Sequence, residues 1–256
     1  MEAISVVILT KDAAATIDKV VKAAKQIATD IVVMDSGSTD ETITILEQNN
    51  IKAHHTEWLG YGATRNKGAK IALHDFILNL DADEVLSKEL IANIRKLVLQ
   101  NHTVIGFERV NFLGRKKVKF GEWGSDISYR LYNKIITKWN LDEVHETIDF
   151  TEVDKKIVMG ELYHFTTPSI ELYRQKMSHY AQLSAEKYMA KGKKISKLKM
   201  YFSPCFSFIK HYFFGLGFLD GIVGWQIATA HFRYVYLKYA IYFQLQKKQS
   251  KINHTA

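Results

Sequence analysis

The sequence predicts an α/β fold, a mostly parallel open sheet flanked by helices, followed by an aromatic-rich helical C-terminal extension. Three observations predict it. Short apolar runs alternate with amphipathic stretches as far as Gln100, acidic motifs follow the apolar runs, and from about Lys197 the composition shifts toward Tyr, Phe, Lys and Gly. At 256 residues, 47% hydrophobic and 24% charged, the chain can bury a substantial core and has the composition of an ordinary globular protein rather than a disordered one. The expected division is 1–165 for the α/β domain and 166–256 for the helical extension.

Val6 to Leu9, Ile31 to Met34 and Phe76 to Leu80 are β-rich runs of the kind found in strands buried on both faces of a parallel sheet. Between them, Ile17, Val20, Val21, Ala24 and Ile27 repeat at helical spacing, and Ile43 to Leu46 and Ala69 to Leu73 do so in shorter form. Strand-helix-strand units imply right-handed crossovers, and ligands of such sheets sit at the carboxyl ends of the strands. Further on, Thr103 to Val110 and Ile127 to Tyr132 read as strands, and a helix is predicted from a Ser169 cap to a Gly192 stop. The single cysteine, Cys205, excludes an intramolecular disulfide framework and is expected as a small buried hydrophobe.

A net charge of +8 and a pI near 9.3 point to an anionic partner: nucleotide phosphates, anionic lipid or nucleic acid. No RNP-like, helix-turn-helix or zinc pattern is present, so nucleic acid is not the expected partner. No phosphate-binding loop ending in Gly-Lys-Ser/Thr occurs, which argues against an NTPase.

The acidic motifs fall where ligands of such a sheet bind. Asp35-Ser36-Gly37-Ser38-Thr39-Asp40 follows the second run. A carboxylate there can accept hydrogen bonds from a ribose or a base edge, or the segment is only a strand-to-helix turn. Asp81-Ala82-Asp83-Glu84 follows the third run directly, and like charges so close repel unless a cation sits between them. Mg²⁺ or Mn²⁺ prefers such oxygen ligands and leaves places for phosphate oxygens. The other reading is a solvated loop capping a helix that begins near Ser87. Asp12, after Thr10, would complete a row of carboxylates along one sheet edge.

Four segments together resemble the family 2 glycosyltransferases: Ser5 to Lys11, Ile31 to Asp40, Arg65-Asn66-Lys67-Gly68 and Leu80 to Glu84. Trp58-Leu59-Gly60-Tyr61-Gly62-Ala63, Gly121-Glu122-Trp123-Gly124 and Val144-His145-Glu146 are similar to the branch that includes lipopolysaccharide-core β-1,4-glucosyltransferases. The resemblance implies the GT-A nucleotide-diphospho-sugar transferase fold. It implies inverting transfer of a hexose, with UDP-glucose as the suggested donor, to a lipopolysaccharide-core or other lipid-linked cell-envelope glycan. Thr10, Asp12, Asp35, Ser36, Gly37 and Arg65 would hold the uridine end, and Asp81 and Asp83 would serve the divalent cation and diphosphate. Inversion needs one base opposite the leaving group. Asp126 is preferred and Glu143 or Glu146 is the alternative, because this chain has Ser125-Asp126 before Arg130-Leu131 where many members carry a Glu-Asp pair. His145 is a metal or phosphate ligand, or a structural histidine. A non-catalytic nucleotide-sugar-binding scaffold on the same fold is the competing function.

Lys210, Asp220, Arg233 and Lys238 break the apolar runs of the tail, so none reaches the ~18 residues of a membrane span. Aromatic residues mixed with Lys and Arg suit helices lying on an anionic membrane surface, or packing against protein. Strand-like residues begin directly after Met1, so a cytoplasmic protein is expected, peripheral on the inner membrane.

Overall fold

The computed structural model describes residues 3–124, 126–142 and 146–255, without the side chains of 250–255. It forms two compact units, Met1–Val110 with Asp126–Phe165, and Asn111–Ser125 with Thr166–Ala256. Residues 111–125 group with the C-terminal segment, and the long strand β6 (Thr103–Leu113) spans the division between the units.

The first unit opens with β1 (Ile4–Thr10), α1 (Ile17–Ala24), β2 (Asp30–Asp35), α2 (Thr42–Gln48), β3 (Ala53–His55), α3 (Tyr61–Ile71) and β4 (Phe76–Asp81). It continues with β5 (Glu84–Leu86), α4 (Lys88–Ile94), β6, β8 (Asp126–Asn133) and β9 (Asp154–Thr167), while β7 (Lys116–Val118) pairs with the far end of β6. Strand order is β3-β2-β1-β4-β8-β6-β9-β5. The sheet is mixed rather than mostly parallel. β3, β2, β1 and β4 are parallel, but β8 joins β4 antiparallel, β6 joins β8 antiparallel and β5 joins β9 antiparallel. Periodicity alone reports burial of a strand, not the direction of its neighbour.

Every residue of β1 is buried, and alternate residues feed opposite layers. Ile4, Val6 and Ile8 pack with Ile17, Val20, Val21 and Leu46 on one face, while Val7 and Leu9 pack with Ala69, Ala72 and Trp139 on the other. Covered on both faces, the parallel strands are held to a fixed register, which places Thr10 opposite Asp35 and Leu9 opposite Asp81. The carboxyl ends of β1, β2 and β4 thus form one edge. Helix α3 begins earlier than the Ala69 to Leu73 pattern suggested, and Gly68 lets it lie close on the sheet: a Cβ there would stand 2.5 Å from Val7 Cγ1 and 3.0 Å from Met34 Cγ.

In the second unit, α5 (Ile170–Ala190) starts at the Ser169 cap, whose hydroxyl accepts from Leu172 N, and Gly192 follows it with φ +57°. α6 (Lys197–Ile209), a π-helical turn Lys210–Phe214 and α7 (Ile222–Thr255) complete it. Trp123 stacks edge-on against Tyr173 at 4.7 Å in a core with Leu113, Val118, Val223 and Ile227. Cys205 is exposed on α6, contrary to expectation, because Pro204 takes the buried position beside it. Among the described residues, no helix is long and apolar enough to cross a membrane.

Candidate active site

Asp81 ends β4 at the sheet edge and is gripped by two arginines. Arg65, delivered by α3, donates to Oδ1 at 2.8 Å, and Arg130, from β8, donates to Oδ2 at 3.0 Å. Both guanidinium-bearing side chains are almost fully buried, at 2% and 5% exposure, whereas Asp81 keeps 25%. Burial alone would raise the Asp81 pKa, but the charges of Arg65 and Arg130 outweigh it and hold the carboxyl well below its ordinary value. Arg65 also stacks 4.2 Å from the Trp139 ring and donates to Glu146 Oε1 at 3.2 Å.

The acidic run therefore splits. Asp81 and Glu84 turn inward, and Glu84 is wholly buried, accepting from Arg130 Nη2 at 2.6 Å and from the Asp81 amide at 3.0 Å. Burial pushes the Glu84 pKa up, Arg130 opposes it, and the neighbouring Asp81 charge adds to it, with a net upward shift. Burial would likewise weaken the Arg130 charge, but Glu84 and Asp81 more than offset this and keep the guanidinium protonated. Arg130 bridges Asp81 and Glu84 and so relieves the repulsion between them. Asp83 alone turns outward, 39% exposed, with His164 Nε2 at 3.3 Å from its Oδ2. The β5–β9 pairing brings His164 there, by placing it opposite Glu84.

Asp83 and His164, beside the diphosphate edge of the sheet, could share a divalent ion. Among the described residues no cluster of three or more His, Cys, Asp or Glu is close enough to hold one. Asp83 and His164 would leave most coordination places to phosphate oxygens and water, the usual pattern for Mg²⁺. The donor set fits a cation that arrives with a diphosphate. His145 and Glu143 lie outside the described residues.

The β1 and β2 ends build a second group. The Asp35 carboxylate accepts from Gly37 N at 2.9 Å and from Ser38 Oγ at 2.5 Å, with Gly37 at φ +89° allowing the tight turn. Ser38 Oγ also accepts from Asp12 N at 2.9 Å, and Asp12 Oδ1 accepts from Thr39 N at 2.7 Å, so one serine ties the two aspartates together. Asp12 sits in the left-handed region at φ +49°, which Asp tolerates. Ser36 N donates to Thr10 O at 3.0 Å, continuing the β1–β2 ladder. The Thr10 hydroxyl is buried without a hydrogen-bond partner, a donor left over at the strand edge.

Asp126 opens β8, half exposed, in a two-pronged pair with Arg109 at 3.0 and 2.8 Å. Arg109 also lies 3.8 Å from Glu84. Hence Asp126 does not touch Asp81 but is wired to it through Arg109, Glu84 and Arg130, while Glu146 is wired to it through Arg65. The sequence pattern singles out neither Arg109 nor His164, marks Arg130 only as part of the Arg130-Leu131 pair, and groups Glu84 with the other carboxylates of the acidic run. One signal was available: an arginine inside Tyr129-Arg130-Leu131-Tyr132 has to find a carboxylate if that strand is buried.

The parallel half of the sheet thus ends in carboxylates, to which α3 and β8 bring Arg65 and Arg130, in a fold of the GT-A type. Residues 5–159 match glycosyl transferase family 2, and the chain belongs to that family. An uncharacterized glycosyltransferase of Rickettsia felis is 32% identical over 245 residues, covering 87% of this chain and 86% of that protein. The lipopolysaccharide core biosynthesis glycosyltransferase LpsC of Rhizobium meliloti is 23% identical over 243 residues, covering 83% of this chain and 84% of LpsC. Among solved structures, S. aureus TarS 1–349 in complex with UDP-GlcNAc aligns with a TM-score of 0.43 at 20% identity, covering 70% of this chain and 66% of that one. The chain is a glycosyltransferase.

Proposed function

We propose that this glycosyltransferase transfers a hexose, with UDP-glucose as donor, onto a lipopolysaccharide-core or related lipid-linked glycan with inversion at the sugar carbon. The observation that carries the donor half is the Arg65-Asp81-Arg130 group beside an outward Asp83, at the same sheet edge as the spare Thr10 hydroxyl. Similarity to LpsC supports the acceptor.

In this reading Thr10, Asp12, Asp35, Ser36 and Gly37 hold the uridine, and Arg65 with Asp81 fixes the ribose and diphosphate. Asp83 and His164 would hold Mg²⁺ or Mn²⁺, which when bound supplies charge neutralisation at the leaving diphosphate. Arg65 and Arg130, already fixed by carboxylates, keep their orientation without reorganising as negative charge grows on the leaving group. Asp126 takes the proton from the acceptor hydroxyl, and Glu146 positions Arg65.

A hydrolysis screen over UDP-glucose, UDP-galactose and UDP-N-acetylglucosamine, followed by analysis of the lipopolysaccharide of a deletion strain, tests the proposal. Fastest hydrolysis of UDP-glucose and a core shortened by one hexose are expected. Preference for another donor, or an unaltered core, would refute the corresponding half.

A further inference from the structure

The charge of the chain is not spread evenly. From Lys187 to the end there are twelve Lys and Arg and a single acidic residue, Asp220, a balance of 12 − 1 = +11. Since the whole chain is +8, residues 1–186 carry 8 − 11 = −3. The lone acid is used internally: Asp220 accepts from the backbone amides of Lys119 and Phe120, at 3.1 and 2.9 Å. No carboxylate is left on this segment to balance its lysines.

Within it, α6 is turned inside out for a helix packed on protein. Leu198, Phe202, Phe206 and Ile209 follow one another at spacings of three and four residues, and Phe213 and Phe214 continue the row into the π-helical turn. This is one helical stripe. All six are exposed, Phe202 at 69%, Phe206 at 66% and Phe214 at 81%. Between Lys199 and Lys210 the helix has no charged residue, and Lys197, Lys199 and Lys210 bracket the stripe at its two ends. A stripe from 198 to 209 is roughly 16 Å long at 1.5 Å per residue, with flanking lysines long enough to carry their ammonium groups to a headgroup layer.

We propose that the exposed face of α6 and the turn after it docks in the plane of an anionic lipid bilayer. The phenylalanines enter the boundary between headgroups and acyl chains, and the lysines meet lipid phosphates. Charge decides the occupant. A second copy of this face would set Lys197, Lys199 and Lys210 against the same three lysines, with no acidic residue between 197 and 214 to offset them, whereas an anionic leaflet complements both the apolar row and the lysines that end it. No described helix is long and apolar enough to cross the membrane, so the contact is in-plane. The inference stands whatever the donor sugar is.

The full-length protein is floated with phosphatidylcholine vesicles and with vesicles that also contain phosphatidylglycerol. Binding is expected to the second kind and to weaken with added salt. Phe202→Ser with Phe206→Ser should lower the partition coefficient at least tenfold. Neutralising Lys197, Lys199 and Lys210 with Gln should lower it about fivefold per lysine on anionic vesicles only. Circular dichroism and a thermal melt show that these exposed changes leave the fold intact. Failure of the wild type to float, or equal flotation of the phenylalanine variant, overturns the proposal. So does dimerisation of the wild type, read by sedimentation, that the phenylalanine changes abolish, since the face would then belong to a second copy.

Discussion

Replacing Arg130 by Met tests how the site is held together. The change removes the 2.6 Å bond to Glu84 and the 3.0 Å bond to Asp81 while keeping most of the side-chain volume. Glu84 is wholly buried, and removing one partner of a buried pair costs about 3–5 kcal/mol. Arg109, 3.8 Å from the same Glu84 oxygen, offsets part of this and sets the expectation at the lower end, about 3 kcal/mol. For a chain of this size that lowers Tm by about 6–12 °C. Glu84 already has a raised pKa, and loss of Arg130 raises it further. A group raised in the folded state contributes stability that is complete below its unfolded value and lost as pH rises through its folded one. The deficit of Arg130→Met should therefore be smallest near or below the ordinary glutamate value of 4.5 and widen toward neutral pH. Differential scanning calorimetry across that range measures it, and adding Glu84→Gln should recover part of the loss at neutral pH. A Tm within 2 °C of wild type at every pH, a shift of under about 1 kcal/mol, would refute the reasoning.

Asp83→Ala should abolish Mg²⁺- or Mn²⁺-supported turnover with an unchanged thermal melt, because its carboxylate is 39% exposed and faces His164 rather than a buried arginine. Asp81→Ala should cost both activity and about 1–3 kcal/mol of stability, since it strands two buried guanidinium groups; a variant as stable as wild type would contradict the geometry. Asp126→Asn should slow transfer by about 10² to 10⁴ with UDP binding intact, while Glu146→Gln costs less. The reverse order in a transfer assay would move the base role to Glu146. Gly68→Ala should destabilise by about 1–3 kcal/mol in urea titrations, because the new methyl meets Val7 Cγ1 at 2.5 Å.

The parallel half of the sheet was legible because β1, β2 and β4 are continuous apolar runs, each ending in a polar turn. The antiparallel half was legible as strands but not as topology, since direction is set by pairing between β8 and β4 that leaves no periodic trace. The same holds at the site. Asp12, Asp35, Asp81 and Asp83 stand in short local motifs at strand ends, where a single sequence reveals them. Arg130 and His164 come from strands 49 and 81 residues beyond Asp81 and Asp83, and only the fold brings them in. For that reason the sequence shows the acidic cluster but not the arginines that hold Asp81 and Glu84.

A calorimetric titration of the wild type and Asp83→Ala with UDP, with and without Mn²⁺, tests the account most directly. Wild-type binding that strengthens with Mn²⁺, and a variant that binds UDP weakly and without response to the ion, is the expected result. Absence of UDP binding by the wild type, or an equal Mn²⁺ response in both proteins, would contradict it.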